Sequence, residues 1–167
     1  MAAPCYITWN ASTTALTSPM SGTATSGTSG TVKTILQIKP GSQKIRIIEW
    51  GYRFTTAPAA PVQMELVETG TVFATVTAGS VANYNDTTGV ASLAVTGTAA
   101  TGFNASAEGT ITATRLLAQT MDLSTVFSQQ FPLGREPEVN GGYSLRIRAT
   151  PSSSAAVTVL AYAIFEE

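Results

Sequence analysis

The chain is 167 residues long and poor in charge: 11% of its residues are Asp, Glu, Lys or Arg, and its net charge is −1. This length suffices for one domain with its own hydrophobic core. The near-neutral charge argues against a nucleic-acid partner, because phosphate binding needs clustered Lys and Arg. The chain has no His, and its single Cys5 cannot form an internal disulfide. The commonest general base, zinc ligand and covalent cross-link are therefore missing.

Signals for a membrane or for secretion are weak. The longest apolar run, residues 155–165, is about half the length that a membrane helix needs. The first residues lack the basic region and the apolar core of a signal peptide. We therefore expect no membrane partner, no cofactor, and synthesis in a cytoplasm.

The first 30 residues contain a candidate strand and a long polar segment. Residues 6–9 alternate as a short strand would. Residues 10–30 are mainly Ser, Thr, Gly and Ala, which is typical of a loop or an extended arm. We therefore divide the chain into an N-terminal extended arm at 1–30, which includes the candidate strand, and a β domain at 31–167. The arm is either loosely tethered or reaches onto a neighbouring subunit.

The strongest strand signal lies at residues 44–54. Its apolar residues alternate in one phase up to Ile47 and in the opposite phase from Ile48. Because a period of two is typical of a strand, the phase change predicts either a β-bulge or a strand with apolar cover on both faces. We place this strand at the centre of the fold. A half-buried strand at 32–39 precedes it, and the turn at 40–42 predicts a hairpin between them.

The middle of the chain gives weaker signals. Residues 62–66 alternate cleanly, and residues 73–77 alternate less clearly. Residues 78–107 are rich in Gly, Ala, Thr and Asn, so we expect a long excursion of poor order or short strands. Residues 108–117 resume as a strand, whereas residues 120–130 are ambiguous, with a short helix as one alternative.

The last third contains a hairpin signal and two long strands. Asn140 and Gly141 both accept the positive φ that tight hairpin turns require. Residues 143–150 alternate as a half-buried strand, and residues 157–165 are apolar on both faces. Several short strands separated by turns, without helical periodicity, predict an all-β fold: a single-domain antiparallel β-sandwich, jelly-roll or Greek-key-like.

Groups that could carry chemistry are few, and each has a plainer interpretation. Glu65 with Glu68, and Glu136 with Glu138, are paired carboxylates of the kind that a glycosidase uses. Neighbouring acids are more often solvated surface residues. The polar loop at 83–86 has too little charge for good Ca²⁺ affinity. We therefore predict no metal site and no enzymatic activity.

Two arginines predict ion pairs. Arg146 and Arg148 alternate on one face of a strand, where two cations repel each other unless acids neutralise them. We expect acidic partners on neighbouring strands, and Glu65 and Glu49 are the candidates.

Aromatic residues are candidates for a sugar-binding face or for the core. Trp50, Tyr52 and Tyr143 lie on the same strand face as aliphatic neighbours two residues away, which favours core packing. The second apolar face of the last strand needs cover from a loop of the same chain or from another subunit. Together with the aromatic residues that bracket the first strand, this face predicts an interface formed by Tyr6, Trp9, Leu160, Tyr162 and Ile164.

Four short strings carry a resemblance to a known class of proteins. They are IIEWG at 47–51, ASAEGTI at 105–111, FPLGRE at 131–136 and IFEE at 164–167. Together they resemble the small head-surface proteins of tailed bacteriophages, particularly of phages with actinobacterial hosts. The similarity runs from about Val32 to the C-terminus and does not cover the arm. It implies a capsid decoration, or cement, protein that is β-rich and commonly trimeric.

From this resemblance we expect a structural virion protein, located on the capsid surface, that binds the major capsid protein and stabilises the outer lattice without catalysis. A homo-oligomer is expected, with a trimer favoured. Few charges lower the desolvation cost of a broad interface, and many copies on a lattice supply avidity. Other functions stay open: a tail or fibre component of the same particle, a carbohydrate-binding β-sandwich module, or a hydrolase with an unusual site.

Overall fold

The structure is a computed structural model that describes residues 3–12, 17–110, 113–121 and 126–167. Within this part of the chain, 13 β-strands form two antiparallel sheets, and no helix is present. The prediction of an all-β antiparallel sandwich is confirmed. In chain order the strands are β1 (Cys5–Trp9), β2 (Thr23–Ala24), β3 (Lys33–Ile38), β4 (Ile45–Phe54), β5 (Val62–Thr69), β6 (Thr75–Ala78), β7 (Val81–Asn83), β8 (Gly102–Ala107), β9 (Ala113–Met121), β10 (Val126–Gln130), β11 (Glu138–Val139), β12 (Ser144–Pro151) and β13 (Thr158–Glu166).

Each sheet combines strands that are far apart in the sequence. The seven-stranded sheet has the order β10–β4–β13–β1–β7, while β11 also pairs with β4 and β2 also pairs with β13. The six-stranded sheet has the order β6–β8–β3–β12–β5–β9. The strand predicted at the centre, β4, is an interior strand, but β13 occupies the middle of its sheet.

The hydrophobic core between the sheets contains an aromatic cluster on β4 and β10. Trp50 and Tyr52 are fully buried, and their ring centroids lie 5.6 Å apart. Phe127 contacts both rings, at 5.2 Å from Trp50 and 5.0 Å from Tyr52. Full burial of a Phe-sized side chain stabilises the fold by roughly 1.5–3 kcal/mol. The prediction that Trp50 and Tyr52 pack in the core is confirmed.

The phase change in β4 is a β-bulge at Ile48. Ile164 of β13 pairs with Glu49, whereas the next residue, Phe165, pairs with Ile47, so Ile48 has no partner on β13. The extra residue lets apolar side chains from both halves of β4 point into the core, although their sequence phases differ. The bulge, one of the two interpretations of the phase change, is therefore confirmed.

Both predicted hairpins are wrong. β3 lies in the six-stranded sheet and β4 in the seven-stranded sheet, so the turn between them crosses from one sheet to the other. The same is true of β11 and β12. The turn at Asn140 closes through Tyr143 N–H donating to Asn140 O, and the positive φ of 81° falls on Gly142. That pattern is typical of a type II turn, whereas the hairpin turn needs positive φ one residue earlier.

The weaker segments are partly regular. β5 includes the predicted strand at 62–66, and β6 is shorter than the segment 73–77 suggested. Within 78–107 the structure has the short strands β7 and β8, joined by residues 84–101. Within the ambiguous span 120–130, residues 122–125 lie outside the described residues, and the flanking positions belong to β9 and β10.

The segment predicted as an arm is tied to the sandwich at several described positions. The candidate strand exists as β1, which pairs with both β13 and β7. Asn10 is fully buried: its Nδ2 donates to Val159 O (2.8 Å), and its Oδ1 accepts from Ala161 N–H (2.7 Å). Further along, Thr25 N–H donates to Val157 O (2.8 Å). Residues 3–12 and 22–25 are therefore held on the edge of β13.

The outer face of the six-stranded sheet is covered by two segments of its own chain. Gln37 Nε2 donates to Ala100 O (2.7 Å), and its Oε1 accepts from Ala74 N–H (2.9 Å). Arg146 is fully buried and donates to Val72 O (2.6 Å) and to Glu108 O (3.0 Å). These bonds hold the covering segments over β3 and β12, whereas Arg115 of β9, on the same face, is 59% exposed.

Candidate binding surfaces

Two of the four paired acids that the sequence singled out, Glu65 and Glu138, make structural contacts. Glu65 Oε2 accepts from Arg148 Nη2 (2.8 Å), and Glu138 Oε2 accepts from Lys44 Nζ (2.7 Å). The hydrogen bond from Lys44 lowers the pKa of Glu138 below its ordinary value.

Among the described residues, no three Cys, Asp or Glu side chains lie close enough together to hold a metal ion. The remaining candidates for function are surfaces that a partner or ligand would contact.

A groove of about 300 Å³ lies on the outer face of the seven-stranded sheet. Four strands and the segment before β2 contribute its side chains, and the groove is lined by residues that include Trp9, Met20, Arg53, Val126, Leu160 and Tyr162. We call these six residues the aromatic groove. The outer face of the other sheet is covered by the chain over β3 and β12, whereas the two rings in this groove are partly exposed.

The register of the sheet aligns the main residues of the groove in one row. Trp9 on β1 pairs with Tyr162 on β13, Tyr162 pairs with Gly51 on β4, and Gly51 pairs with Ser128 on β10. The rings of Trp9 and Tyr162 are partly exposed, with centroids 5.0 Å apart and planes inclined by 39°. Two aromatic side chains from opposite ends of the chain thus form one surface.

Gly51 allows the Tyr162 ring to lie across β4. A Cβ at position 51 would be 2.5 Å from Tyr162 Cε1 and 2.8 Å from Cζ. Those distances are shorter than any ordinary contact between carbon atoms, so a larger residue would displace the ring. With Gly51, the ring rests directly on the strand backbone and forms an aromatic platform.

Polar groups flank this platform along β4. The Tyr162 hydroxyl donates to Glu49, and burial together with the Glu49 contact raises the pKa of Tyr162 well above its ordinary value of 10.0. Among the described residues, Glu49 has no cationic partner and Arg53 has no acidic partner. Glu49 and Arg53 lie two residues on either side of Gly51, or about 7 Å along the strand.

A second surface lies on the connection between β7 and β8. Val90, Leu93 and Val95 are exposed there to 76%, 54% and 42%. We call these three residues the loop-end surface. Although this connection is irregular, Glu167 at the C-terminus accepts hydrogen bonds from Leu93 N–H (2.7 Å) and Ala94 N–H (3.1 Å). The apolar side chains are therefore presented by a loop with a defined conformation.

The five predicted interface residues have different environments. Trp9, Leu160 and Tyr162 meet in the aromatic groove. Tyr6 lies instead in the core, 2% exposed, with its ring 5.8 Å from that of Phe165. Ile164 points to the same outer face as Leu160 and Tyr162, is 5% exposed and lies outside the groove lining. The structure therefore brings three of the five together in the groove, where the rings of Trp9 and Tyr162 are partly exposed and Leu160 is 5% exposed.

The apolar second face of β13 is covered largely within the chain. Leu160 is 5% exposed, like Ile164. Gly22 lies so close to β13 that a Cβ there would be 2.2 Å from Val159 O and 2.9 Å from Leu160 N. Of the two kinds of cover considered from the sequence, a segment of the same chain accounts for Leu160.

Sequence reasoning missed several exposed apolar residues. Tyr143 was predicted to pack in the core but is 40% exposed, because β12 begins one residue later and Tyr143 lies in the preceding turn. Leu93 and Val95 lie in the segment 78–107, which was expected to have poor order or short strands. Their neighbours in the sequence are small or polar, and this was the one available signal, because such a segment offers few large apolar side chains against which they could be buried.

Comparison with known proteins adds no family to these observations: no protein-family model matches the chain, and a search of the curated proteins found no match. In the described part of the chain, no helix is long and apolar enough to cross a membrane.

Proposed function

We propose that this protein is a structural virion component that decorates a bacteriophage capsid by binding the major capsid protein on its outer lattice, without catalysis. The resemblance of four sequence strings to head-surface proteins suggests this role. The observation that carries the proposal is the loop-end surface, where three exposed apolar side chains lie on a fixed loop. A contact surface that is ordered before binding loses less conformational entropy when it docks.

The charge distribution at the loop-end surface supports a broad, weakly charged contact. The Glu167 side chain accepts from two backbone N–H groups and from Ser92 Oγ (2.6 Å), so it would not have to be desolvated by a partner. Lys39, in the adjoining segment, has its Nζ 4.3 Å from the Phe73 ring centroid. Apolar docking without unpaired charge avoids the largest desolvation costs, and avidity on a lattice compensates for modest single contacts.

A homo-oligomer, with a trimer favoured, is part of the same proposal. The nine-residue strand β9 pairs with β5 on one side and, among the described strands, with nothing on the other. A long free edge is a template for pairing with another chain. Native mass spectrometry of the purified protein tests this directly: a trimer is expected, and a monomer at micromolar concentration would contradict it.

The copy number in purified particles tests the decoration function. Quantitative mass spectrometry of virions of the phage that encodes this chain should give about one copy per capsid subunit. A handful of copies per particle would instead indicate a tail or fibre component and would overturn the proposal. Absence from the virion would do the same.

A matched pair of variants tests the assigned surface. Capsids that lack the protein are mixed with purified protein, and bound copies are counted after sedimentation. The double variant Val90→Asp with Leu93→Asp should lose binding, because two carboxylates would have to be desolvated at the contact. Thr28→Asp adds charge at an exposed site next to Pro151 and Ser152, away from the loop-end surface, and should bind normally. Normal binding by the double variant would refute the loop-end surface as the contact.

A further inference from the structure

We propose that the aromatic groove is a binding site for a neutral glycan, with a pyranose ring stacked on Tyr162 against Trp9. This site is separate from the loop-end surface, and the inference does not depend on the decoration function. Its evidence is the aromatic platform over Gly51, the charged groups beside it that form no ion pair among the described residues, and the size of the groove.

The platform suits the apolar face of a sugar ring. One face of a pyranose ring carries mainly C–H groups, which pack well against the electron-rich face of an aromatic side chain. Gly51 keeps the Tyr162 ring down on the strand backbone, and the inclined Trp9 ring stands 5.0 Å away as a side wall. Both rings are partly exposed, so a ligand would gain contacts with them.

The polar groups suit the hydroxyl groups at the edge of the sugar. One Glu49 oxygen accepts a hydrogen bond from the Tyr162 hydroxyl, which holds the carboxylate in place, and its second oxygen has no hydrogen-bond donor among the described residues. Arg53 on the other side of the platform supplies donors, and Ser128 faces Gly51 across the strand pair. An acceptor and a donor about 7 Å to either side of the platform match a ring that carries hydroxyls on both sides.

Charge and size favour a neutral sugar over other ligands. Arg53 in the groove and Glu49 beside it have opposite charges, so these two described groups together supply no net charge with which to select a phosphate or an acidic peptide. A groove of about 300 Å³ is at the small end of ligand pockets, which suits one or two sugar rings. It is too small to serve by itself as a stable protein–protein interface.

Native affinity electrophoresis in gels that contain galactomannan, arabinogalactan or a soluble β-glucan provides the test, because it detects weak binding. We expect at least one of these neutral polysaccharides to retard the protein. Binding should also change the fluorescence of Trp9, since the other tryptophan, Trp50, is fully buried. No retardation of the folded protein in any of the three gels would overturn the proposal.

Variants connect retardation to the groove. Trp9→Ala and Gly51→Ala should weaken binding about tenfold or more, the first by removing the side wall and the second by displacing the platform. Arg53→Ala, at an exposed position where folding is not at risk, should weaken it severalfold. Tyr143→Ala, which removes an exposed aromatic residue elsewhere, should have no effect. Equal retardation of all four variants would refute the site.

Two further outcomes separate this inference from its alternatives. If the chain forms a dimer that Trp9→Ala and Arg53→Ala dissociate, a second copy occupies the groove and the glycan proposal is wrong. Capsid occupancy of the Arg53→Ala variant should equal that of the unmodified protein. Loss of capsid binding in this variant would make the groove a capsid contact and would overturn the assignment to a glycan.

Discussion

Glu65 neutralises the cations on the outer row of β12 and β9. Its side chain is 3% exposed and contacts Arg148 at 2.8 Å and Arg115 at 2.5 Å. The predicted pair between Arg148 and Glu65 is therefore confirmed. Arg146 has a different partner, Glu108, at 3.5 Å, and Glu49 contacts Tyr162 rather than either arginine. The alternation of Arg146 and Arg148 on one strand face made it predictable that acidic residues neutralise them. The partner of Arg146 was not predictable, because Glu108 belongs to a segment that folds over the sheet.

The Glu65→Ala variant should lose about 3–5 kcal/mol of unfolding free energy, because Arg148 would stay buried without its counter-charge. Urea denaturation followed by circular dichroism measures this loss. Arg115→Ala is the matched control: the Arg115 side chain is 59% exposed, so its pair with Glu65 should contribute at most about 1 kcal/mol. Equal effects of the two variants would contradict the different burial of these arginines.

At the scale of elements, β1 is an integral strand of the seven-stranded sheet. It lies between β13 and β7, and its Tyr6 side chain belongs to the core. The short alternating pattern at 6–9 predicted the strand but not its neighbours. Asn10, directly after β1, replaces a ladder contact with side-chain bonds to β13. A segment of small residues can therefore be held tightly on β13 by hydrogen bonds to the β13 backbone, without large apolar side chains of its own.

A chain that begins at residue 11 should not fold cooperatively. The truncation removes a strand with partners on both sides and leaves Phe165 and the edge of β13 uncovered. A chain that begins at residue 4 keeps β1 and serves as the control. Thermal unfolding should show a sharp transition for the control and a broad or absent one for the shorter chain. Normal unfolding of the shorter chain would show that β1 is dispensable.

For the molecule as a whole, buried tyrosines set the response to alkaline pH. Burial raises the pKa of Tyr52 well above its ordinary value of 10.0, and burial with the Glu49 contact does the same for Tyr162. Burial, with the charge of Glu167, also raises the pKa of Tyr6. The folded chain therefore keeps these protons at a pH at which the unfolded chain releases them. Their contribution to stability is fully present below pH 10 and is lost as the pH rises further.

Stability should therefore decrease above about pH 10, with a slope of up to about 1.4 kcal/mol per pH unit for each of the three tyrosines. Urea midpoints measured between pH 8 and pH 11.5 give this slope. Tyr52→Phe should keep the fold, because the Tyr52 hydroxyl has no hydrogen-bond partner among the described residues, and should reduce the slope. An unchanged slope in this variant would exclude Tyr52 as a cause.

The whole molecule also separates its two candidate surfaces. The aromatic groove lies on the outer face of one sheet, while the loop-end surface lies on an irregular connection that Glu167 fixes at the C-terminus. The outer face of the other sheet is covered by the chain itself over β3 and β12. Decoration and glycan binding, as proposed, would therefore use different residues and can be tested one at a time.

The sequence by itself determined the longest strands and the side of each that faces the core. Alternation identified β4, β5, β12 and β13, and the phase change at Ile48 indicated the bulge, because these features depend only on which neighbouring side chains are apolar. Only the tertiary structure decided which sheet each strand joins. Both predicted hairpins were wrong because alternation specifies a buried face but not a partner strand. Each of the two turns connects strands of different sheets. For the same reason only the fold brought Trp9 onto Tyr162, placed Tyr6 in the core and exposed Tyr143: these outcomes depend on contacts between distant segments.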